Sequence, residues 1–182
     1  MSQCRLTLFA MLASVALIAV PMITGHAPRL IWNASASVPT GLYIARPAEH
    51  NHRDDLVTVM PPDSLAALLD DRGYLPRGVP LIKQVAALPG AEICRTDQTI
   101  SVDGHSYGTA RLRDRLGREL PRWQGCRRLT EGEVFLMNRG VPDSLDGRYF
   151  GPLPRISITA RLTPLWIDAT GDGHFEWRAS MR

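Results

Sequence analysis

Hydrophobic positions are most concentrated at the start of the chain, where residues 6–25 form twenty consecutive positions without a charge. At about 1.5 Å per helical residue, this run spans roughly 30 Å, the thickness of a bilayer core. Arg5 precedes the run, and positive charge tends to stay on the inner side of a membrane. The pattern predicts an uncleaved membrane anchor over residues 1–25 and an exported domain over residues 26–182.

A cleavable signal peptide is the alternative interpretation of the same run. Ala34, Ser35 and Ala36 resemble the small residues of a cleavage site. They lie further past the apolar run than cleavage sites usually do. The position therefore favours the anchor.

After the apolar run, short apolar stretches alternate with turn residues. The chain contains 15 Gly and 14 Pro, which favours many turns and short strands over a helical bundle. One helix is predicted, with Asp63 as its N-cap, residues 64–71 as its body and Gly73 as its terminator. Strands are predicted over 41–44, 56–59, 79–86, 100–102, 133–137 and 156–165. The predicted fold class is mainly β, an antiparallel β domain with one short helix on an N-terminal transmembrane helix.

Net charge and cysteine content bear on the possible partners of the protein and on disulfide formation. The formal net charge of +3 is too small to indicate a nucleic-acid partner. Cys94 and Cys126 lie in the exported part, where an oxidising compartment favours a disulfide between them, while Cys4 precedes the anchor. Two unpaired thiols are the alternative. The arginine-rich segment 108–128 is expected to be a surface excursion within the disulfide loop.

Three stretches carry candidate chemistry. Residues 33–43 place Ser37 in a turn rich in Pro and Gly, residues 80–90 place Lys83 in a nearly apolar strand, and residues 138–151 form a turn-rich loop. Taken singly, each has an ordinary structural interpretation: a capped turn, a lysine that reaches solvent, and a surface loop with an ion pair. If Lys83 is buried, desolvation lowers the pKa of its amine and makes the neutral form available as a base.

The order and spacing of the three stretches resemble those of a known family. The sequences SASVPTGLY at 35–43, RGYLPRGVPLIKQVAALPG at 72–90 and PDSLDGRYFGPL at 142–153 carry the resemblance. Together they resemble the signal peptidase I superfamily of serine–lysine peptidases, whose fold is an antiparallel β domain. Within that superfamily they are most similar to the TraF-type conjugal transfer peptidases, which process pilin precursors.

The resemblance implies roles for the matching residues. Ser37 matches the nucleophile and Lys83 the general base. The Ser35 hydroxyl and the Ser37 backbone N–H match the oxyanion hole, and Ser144 matches a serine that orients the lysine amine.

Two further residues match supporting positions of the family. Asp146 and Arg148 correspond to an ion pair that supports the site without entering the chemistry. The chain departs from the common pattern at Gly147, where the family has serine, and at Ala91, where it has an acidic residue. Both departures lie outside the serine–lysine pair.

The implied function is that of a membrane-anchored serine endopeptidase of a bacterial inner membrane, with its catalytic domain in the periplasm. Its partners are a prepilin, or another membrane-tethered precursor, and the inner membrane, without nucleic acid, metal or other cofactor. Hydrolysis and cyclisation of the pilin both stay open. The alternatives are a general signal peptidase I that removes signal peptides, a self-cleaving repressor, which would lack the anchor, and a non-enzymatic scaffold of an envelope secretion complex.

Overall fold

A computed structural model describes residues 3–24 and 30–179 of the chain. Helix α1, Gln3–Thr24, coincides with most of the predicted apolar segment, and side chains such as Leu8 and Phe9 are exposed. Within residues 3–24 and 30–179, no helix combines the length and the apolar character needed to cross a membrane. The predicted boundary between anchor and exported domain, at residues 25 and 26, lies outside the described residues.

The rest of the described chain is dominated by antiparallel strands. In chain order they are β1 Leu30–Asn33, β2 Thr40–Arg46, β3 Leu56–Val59, β4 Leu81–Ala87, β5 Glu92–Thr96, β6 Thr99–Val102, β7 His105–Thr109, β8 Gly125–Arg128, β9 Glu133–Leu136, β10 Leu153–Pro154, β11 Ile158–Asp168 and β12 Glu176–Trp177. Helix α2, Asp63–Asp71, follows β3, the one-turn helix α3, Gly147–Phe150, precedes β10, and a 3-10 turn, Arg155–Ser157, leads into β11. The mainly β fold class is therefore confirmed.

The larger sheet has the strand order β1-β2-β11-β3-β4-β9-β10, with β12 paired to β11. Strand β4 lies near the middle, between β3 and β9, and Lys83 on β4 pairs with Val57 on β3. Five of the seven residues of β4 are buried and the other two, Leu81 and Gln84, are partly buried, because side chains pack on both faces of this strand. Gly41 on β2 passes close to β11, since a Cβ there would lie 2.3 Å from the Trp166 carbonyl oxygen.

The smaller sheet has the order β7-β6-β5-β8. Its inner face packs against β4 and β9 of the larger sheet through one apolar cluster, which includes Ala86, Ile93, Ile100, Phe135 and Met137. The predicted disulfide is present. It joins Cys94 on β5 to Cys126 on β8, which face each other in the strand register.

Comparison with the predicted elements shows where the hydrophobic pattern was informative. Each of the six predicted strands overlaps an observed one, and helix α2 occupies the predicted segment, with Gly73 at positive φ just beyond its end. The N-cap prediction was wrong: Asp63 is the first helical residue, and the cap position, Pro62, makes no side-chain capping bond. Strand β8 was not predicted, because all four of its residues are exposed and carry no apolar signal.

Candidate active site

The loop that carries Ser37 connects β1 to β2 and is organised by one buried amide. Asn33 is 4% exposed, and its Nδ2 donates to the carbonyl oxygens of Ser35 at 2.8 Å, Val38 at 3.0 Å and Pro39 at 3.1 Å. Because one side chain binds three carbonyls of the same loop, it fixes the turn that presents Ser37. The sequence contains no periodic signal for this role, and Asn33 was not among the predicted site residues.

Ser35 and Ser37 are brought together by this turn. Asn33 Oδ1 accepts hydrogen bonds from the Ser35 backbone N–H at 3.0 Å and from the Ser35 hydroxyl at 2.8 Å. The two serine hydroxyl oxygens lie 3.0 Å apart. A hydroxyl has a single hydrogen, so with Ser35 donating to Asn33 the Ser37 hydroxyl donates to Ser35. Ser35 can donate to an oxyanion only after its hydrogen turns away from Asn33.

Lys83 lies in the middle of β4 and is only 3% exposed. Its Nζ donates to the Ser144 hydroxyl oxygen at 2.9 Å. Burial lowers the pKa of the Lys83 amine to about 8; the nearby Asp146 carboxylate opposes this shift and the Arg148 guanidinium adds to it. The amine is therefore poised to exchange its proton near neutral pH, as expected if this lysine is buried rather than solvent-facing.

Asn138 links the loop of Ser37 to the strand of Lys83. Its Nδ2 donates to the Ser37 carbonyl oxygen at 2.7 Å and to the Ile82 carbonyl oxygen at 3.3 Å. Its Oδ1 accepts from the Gln84 backbone N–H at 2.9 Å. Since Ile82 and Gln84 flank Lys83, one buried amide holds the nucleophile loop against the backbone on both sides of the lysine. Asn138 begins the third stretch of candidate chemistry, but no role was predicted for it.

The predicted ion pair between Asp146 and Arg148 is present and buried. Arg148 Nε donates to Asp146 Oδ1 at 2.8 Å, and Arg148 Nη2 donates to Asp146 Oδ2 at 3.1 Å. The guanidinium also donates to the carbonyl oxygens of Asn138 at 2.9 Å and Pro142 at 3.1 Å. The pair thus braces the loop that carries Ser144 without reaching the serine hydroxyls.

Close packing accounts for the glycine at position 147. A Cβ there would lie 2.7 Å from the Leu136 carbonyl oxygen and 2.7 Å from the Phe135 ring. The Gly147 carbonyl oxygen accepts a hydrogen bond from Trp123 Nε1 at 3.0 Å, which holds this segment in place. The serine found here in the common family pattern would not fit this backbone.

Ser37 lies between two cavities. The larger, of about 680 Å³, is also lined by Ser35, Ser144 and the arginine-rich segment, and the smaller, of about 590 Å³, by Asn138. The segment 108–128 was expected to be a surface excursion, and most of its residues are exposed. Arg111 to Leu120 contribute a wall of the larger cavity, a position that depends on tertiary packing and leaves no pattern in the sequence.

The family described as "Signal peptidase, peptidase S26" matches residues 3–166. The chain belongs to this signal peptidase family. The match includes Ser37, Lys83 and Ser144, the residues around which the site is arranged.

Within this family the chain is of the TraF type. It is 32% identical over 142 residues to a plasmid transfer protein TraF of Escherichia coli, covering 73% of this chain and 80% of that protein. It is 34% identical over 149 residues to a conjugal transfer protein TraF of Agrobacterium fabrum, covering 74% of this chain and 80% of that protein. A solved signal peptidase I of Enterococcus faecalis shares 20% identity at a TM-score of 0.38, covering 63% of this chain and 98% of that one.

Proposed function

We propose that this protein is a serine endopeptidase that processes a prepilin, or another exported precursor, for conjugative transfer. Ser37 is the nucleophile and Lys83 the general base. Family membership and the similarity to transfer proteins support the reaction class and its biological setting. The observation that carries the proposal is the Asn138 bridge, which holds the backbone of Ser37 to the strand of a buried lysine of lowered pKa.

The first step is acylation of Ser37. Neutral Lys83 accepts the Ser37 hydroxyl proton while the serine oxygen attacks a peptide carbonyl carbon. The Ser37 backbone N–H and the Ser35 hydroxyl, once turned from Asn33, donate to the developing oxyanion. The protonated amine then gives its proton to the leaving amine, so the peptide bond breaks and an ester to Ser37 forms. Ser144 keeps the lysine amine directed by its hydrogen bond.

The second step releases the acyl group. Lys83 accepts a proton from water, which attacks the ester, and hydrolysis regenerates the Ser37 hydroxyl. If the amino terminus of the precursor reaches the ester first, the same step makes a peptide bond and a cyclic product. Both routes use the same residues, so they differ only in which nucleophile enters the cavity beside Ser37.

The proposed location is the periplasmic side of the inner membrane, with residues 1–25 as a single-pass anchor. The uncharged run at residues 6–25 supports this location. Ser37 follows the run by only twelve positions, and at no more than ~3.6 Å per residue the tether keeps it within about 43 Å of the bilayer. Such a position suits a precursor that is itself held in the membrane.

Co-expression with a candidate prepilin, followed by mass spectrometry of the pilin, tests the proposal. Wild type is expected to give a shortened pilin, and Ser37→Ala only the precursor. Ser106→Ala, which changes an exposed serine of the smaller sheet, is the matched control and is expected to behave as wild type. A cyclic product would weigh less than the linear one by one water. Processing that continues in a folded Ser37→Ala protein would contradict the proposal.

A further inference from the structure

The wall of the larger cavity beside Ser37 is unusually basic. Its charged lining residues are Arg72, Arg111, Arg113, Arg115, Arg118, Asp114 and Asp143. Five arginines against two aspartates give this lining a formal charge of +3 (5 − 2). Ser35 and Ser37 line the same cavity, so a substrate that enters it to reach Ser37 lies against this basic wall.

One aspartate of the lining is used within the wall itself. Asp114 accepts a short hydrogen bond from the Tyr74 hydroxyl and a 2.7 Å bond from Arg118 Nε. The hydrogen bond from Tyr74, together with those from Arg118, holds the pKa of the Asp114 carboxyl well below its usual range. Arg118 and Asp114 therefore act as a fixed pair that shapes the segment.

The second aspartate is held differently. Asp143 Oδ1 lies 2.6 Å from Arg111 Nη2, and Asp143 Oδ2 lies 2.8 Å from Arg115 Nη2. The side chains of Arg111 and Arg115 are 54% and 81% exposed, so solvent and ligands reach both guanidinium groups. The protein thus already binds one carboxylate, its own, between two accessible arginines at the cavity.

Two guanidinium groups have more donors than one carboxylate can use. Each carries five N–H bonds, and a carboxylate pairs with them through strong charge-assisted hydrogen bonds. A second carboxylate can therefore join Asp143 or displace it. Arg127 and Arg128 on β8 do not line the cavity, although they also carry two exposed positive charges, and so provide a matched comparison.

We propose that the Arg111–Arg115 pair binds an acidic side chain, Asp or Glu, of the precursor close to the scissile bond. Asp143 occupies the pair in the free protein and competes with that side chain. The inference rests on the proposed peptidase function, because it names the class of substrate that the site around Ser37 selects.

The first experiment measures selectivity during cleavage by the full-length protein. Peptides spanning the cleavage site carry Glu in one version and Gln in the other, at each position on either side of the scissile bond in turn. At the preferred position, kcat/KM is expected to be about tenfold higher for Glu, because Gln removes the charge but keeps the shape. The ratio of kcat/KM for the Glu peptide to that for the Gln peptide is expected to fall to about 1 in Arg111→Gln/Arg115→Gln. It is expected to stay at the wild-type value in Arg127→Gln/Arg128→Gln. Raising the salt from about 50 mM to about 500 mM is expected to weaken the preference for Glu, because the pair is exposed.

The second experiment measures binding without cleavage. Dye-labelled peptides of Ala and Ser with one central Glu or Gln are titrated against full-length Ser37→Ala protein. Asp143→Asn in that background is expected to tighten binding of the Glu peptide several-fold, because it removes the internal competitor. Arg111→Gln/Arg115→Gln is expected to weaken it. If the pair served only to hold the loop, Asp143→Asn and Arg111→Gln/Arg115→Gln would change binding of the Glu peptide in the same direction.

The outcomes separate the two proposals. If wild type cleaves neither peptide, the peptidase proposal fails, while the binding titration still decides the acidic preference. Equal cleavage and equal binding of Glu and Gln peptides would overturn the inference and leave the peptidase proposal intact. An equal loss of preference in Arg127→Gln/Arg128→Gln would also overturn it, because net charge rather than the Arg111–Arg115 pair would then be responsible.

Discussion

At the residue scale, burial of Lys83 lowers the stability of the fold and makes the neutral amine available as a base. The residue is 3% exposed, and burial lowers the pKa of its amine from 10.5 to about 8. Below pH 8 the group is protonated in both the folded and unfolded states, so the folded state carries the full cost of a buried ammonium. At about 1.4 kcal/mol per pKa unit, that cost is about 3 kcal/mol. Between pH 8 and 10.5 the unfolded chain binds more protons, so stability rises with pH through this window.

Replacing Lys83 by methionine is therefore expected to stabilise the fold at pH 7. The gain is expected to be about 1–3 kcal/mol, since the lost hydrogen bond to Ser144 offsets part of it. Chemical unfolding of both proteins at pH 7 and near pH 10 measures the effect, and the difference should shrink at the higher pH. A Lys83→Met protein that is folded but less stable than wild type at pH 7 would show that the ammonium is not penalised.

Asn138 also acts at this scale, because its side chain is shared between Ser37 and the neighbours of Lys83. Asn138→Ala is expected to lower kcat by about 10²-fold with little change in KM, since small misplacements of reacting groups are costly and the cavity walls remain. Steady-state kinetics with a substrate peptide that spans the cleavage site measure both constants. Asn51→Ala removes another buried asparagine, whose Oδ1 lacks a hydrogen-bond partner within the described chain, and should leave kcat unchanged. Equal effects of the two substitutions would deny Asn138 a positioning role.

At the element scale, the short segment before β10 is limited by packing against β9. Gly147→Ser, which restores the common family residue, is expected to destabilise the protein by about 1–3 kcal/mol. The added Cβ would meet the Leu136 carbonyl oxygen at 2.7 Å, and backbone cannot move aside as a side-chain tip can. Thermal unfolding measures the loss. Gly140→Ser, on the loop that precedes α3, is the control, because a Cβ added there meets nothing within 4 Å.

The cross-strand disulfide stabilises the smaller sheet. Cys94 and Cys126 are separated by 32 residues, and closing a loop of that length contributes roughly 3–4 kcal/mol in the chain-entropy model. Cys94→Ser/Cys126→Ser is expected to lower the unfolding temperature, and a reductant should lower that of wild type to a similar extent. Cys4→Ser should change neither. Insensitivity of wild type to the reductant would indicate that the disulfide does not constrain the fold.

The strand and helix pattern shows which elements the sequence could predict. Strand β3, Leu56–Val59, was predicted at its observed bounds because its apolar run lies between turn residues. Strand β8 and the cavity wall around Arg111 to Leu120 were not predicted, because exposed residues carry no hydrophobic pattern. Lys83 and Ser144 were predicted as a contact from family resemblance. Asn33 and Asn138 were missed, because their roles come from side-chain hydrogen bonds to backbone carbonyls, within one loop for Asn33 and between distant segments for Asn138.

At the scale of the whole molecule, the fold brings distant segments of sequence to one cavity. The β1–β2 loop supplies Ser35 and Ser37 and the loop after β9 supplies Ser144 to the lining, while Lys83 on strand β4 donates a hydrogen bond to Ser144. The larger sheet fixes β4 between β3 and β9, and Lys83 is buried at that position. The proposed mechanism therefore depends on Lys83 titrating as a buried base.

The pH dependence of kcat/KM for the full-length protein in detergent tests that claim most directly. The substrate is a peptide spanning the cleavage site found by mass spectrometry, and Lys83→Arg, which stays protonated, is the inactive control. We predict that the rate rises with pH and levels off above an apparent pKa of about 8, because only the neutral Lys83 amine can accept the Ser37 proton. A profile that is flat from about pH 5 to about pH 9 would contradict the proposed mechanism, because Lys83 would then not be the titrating base.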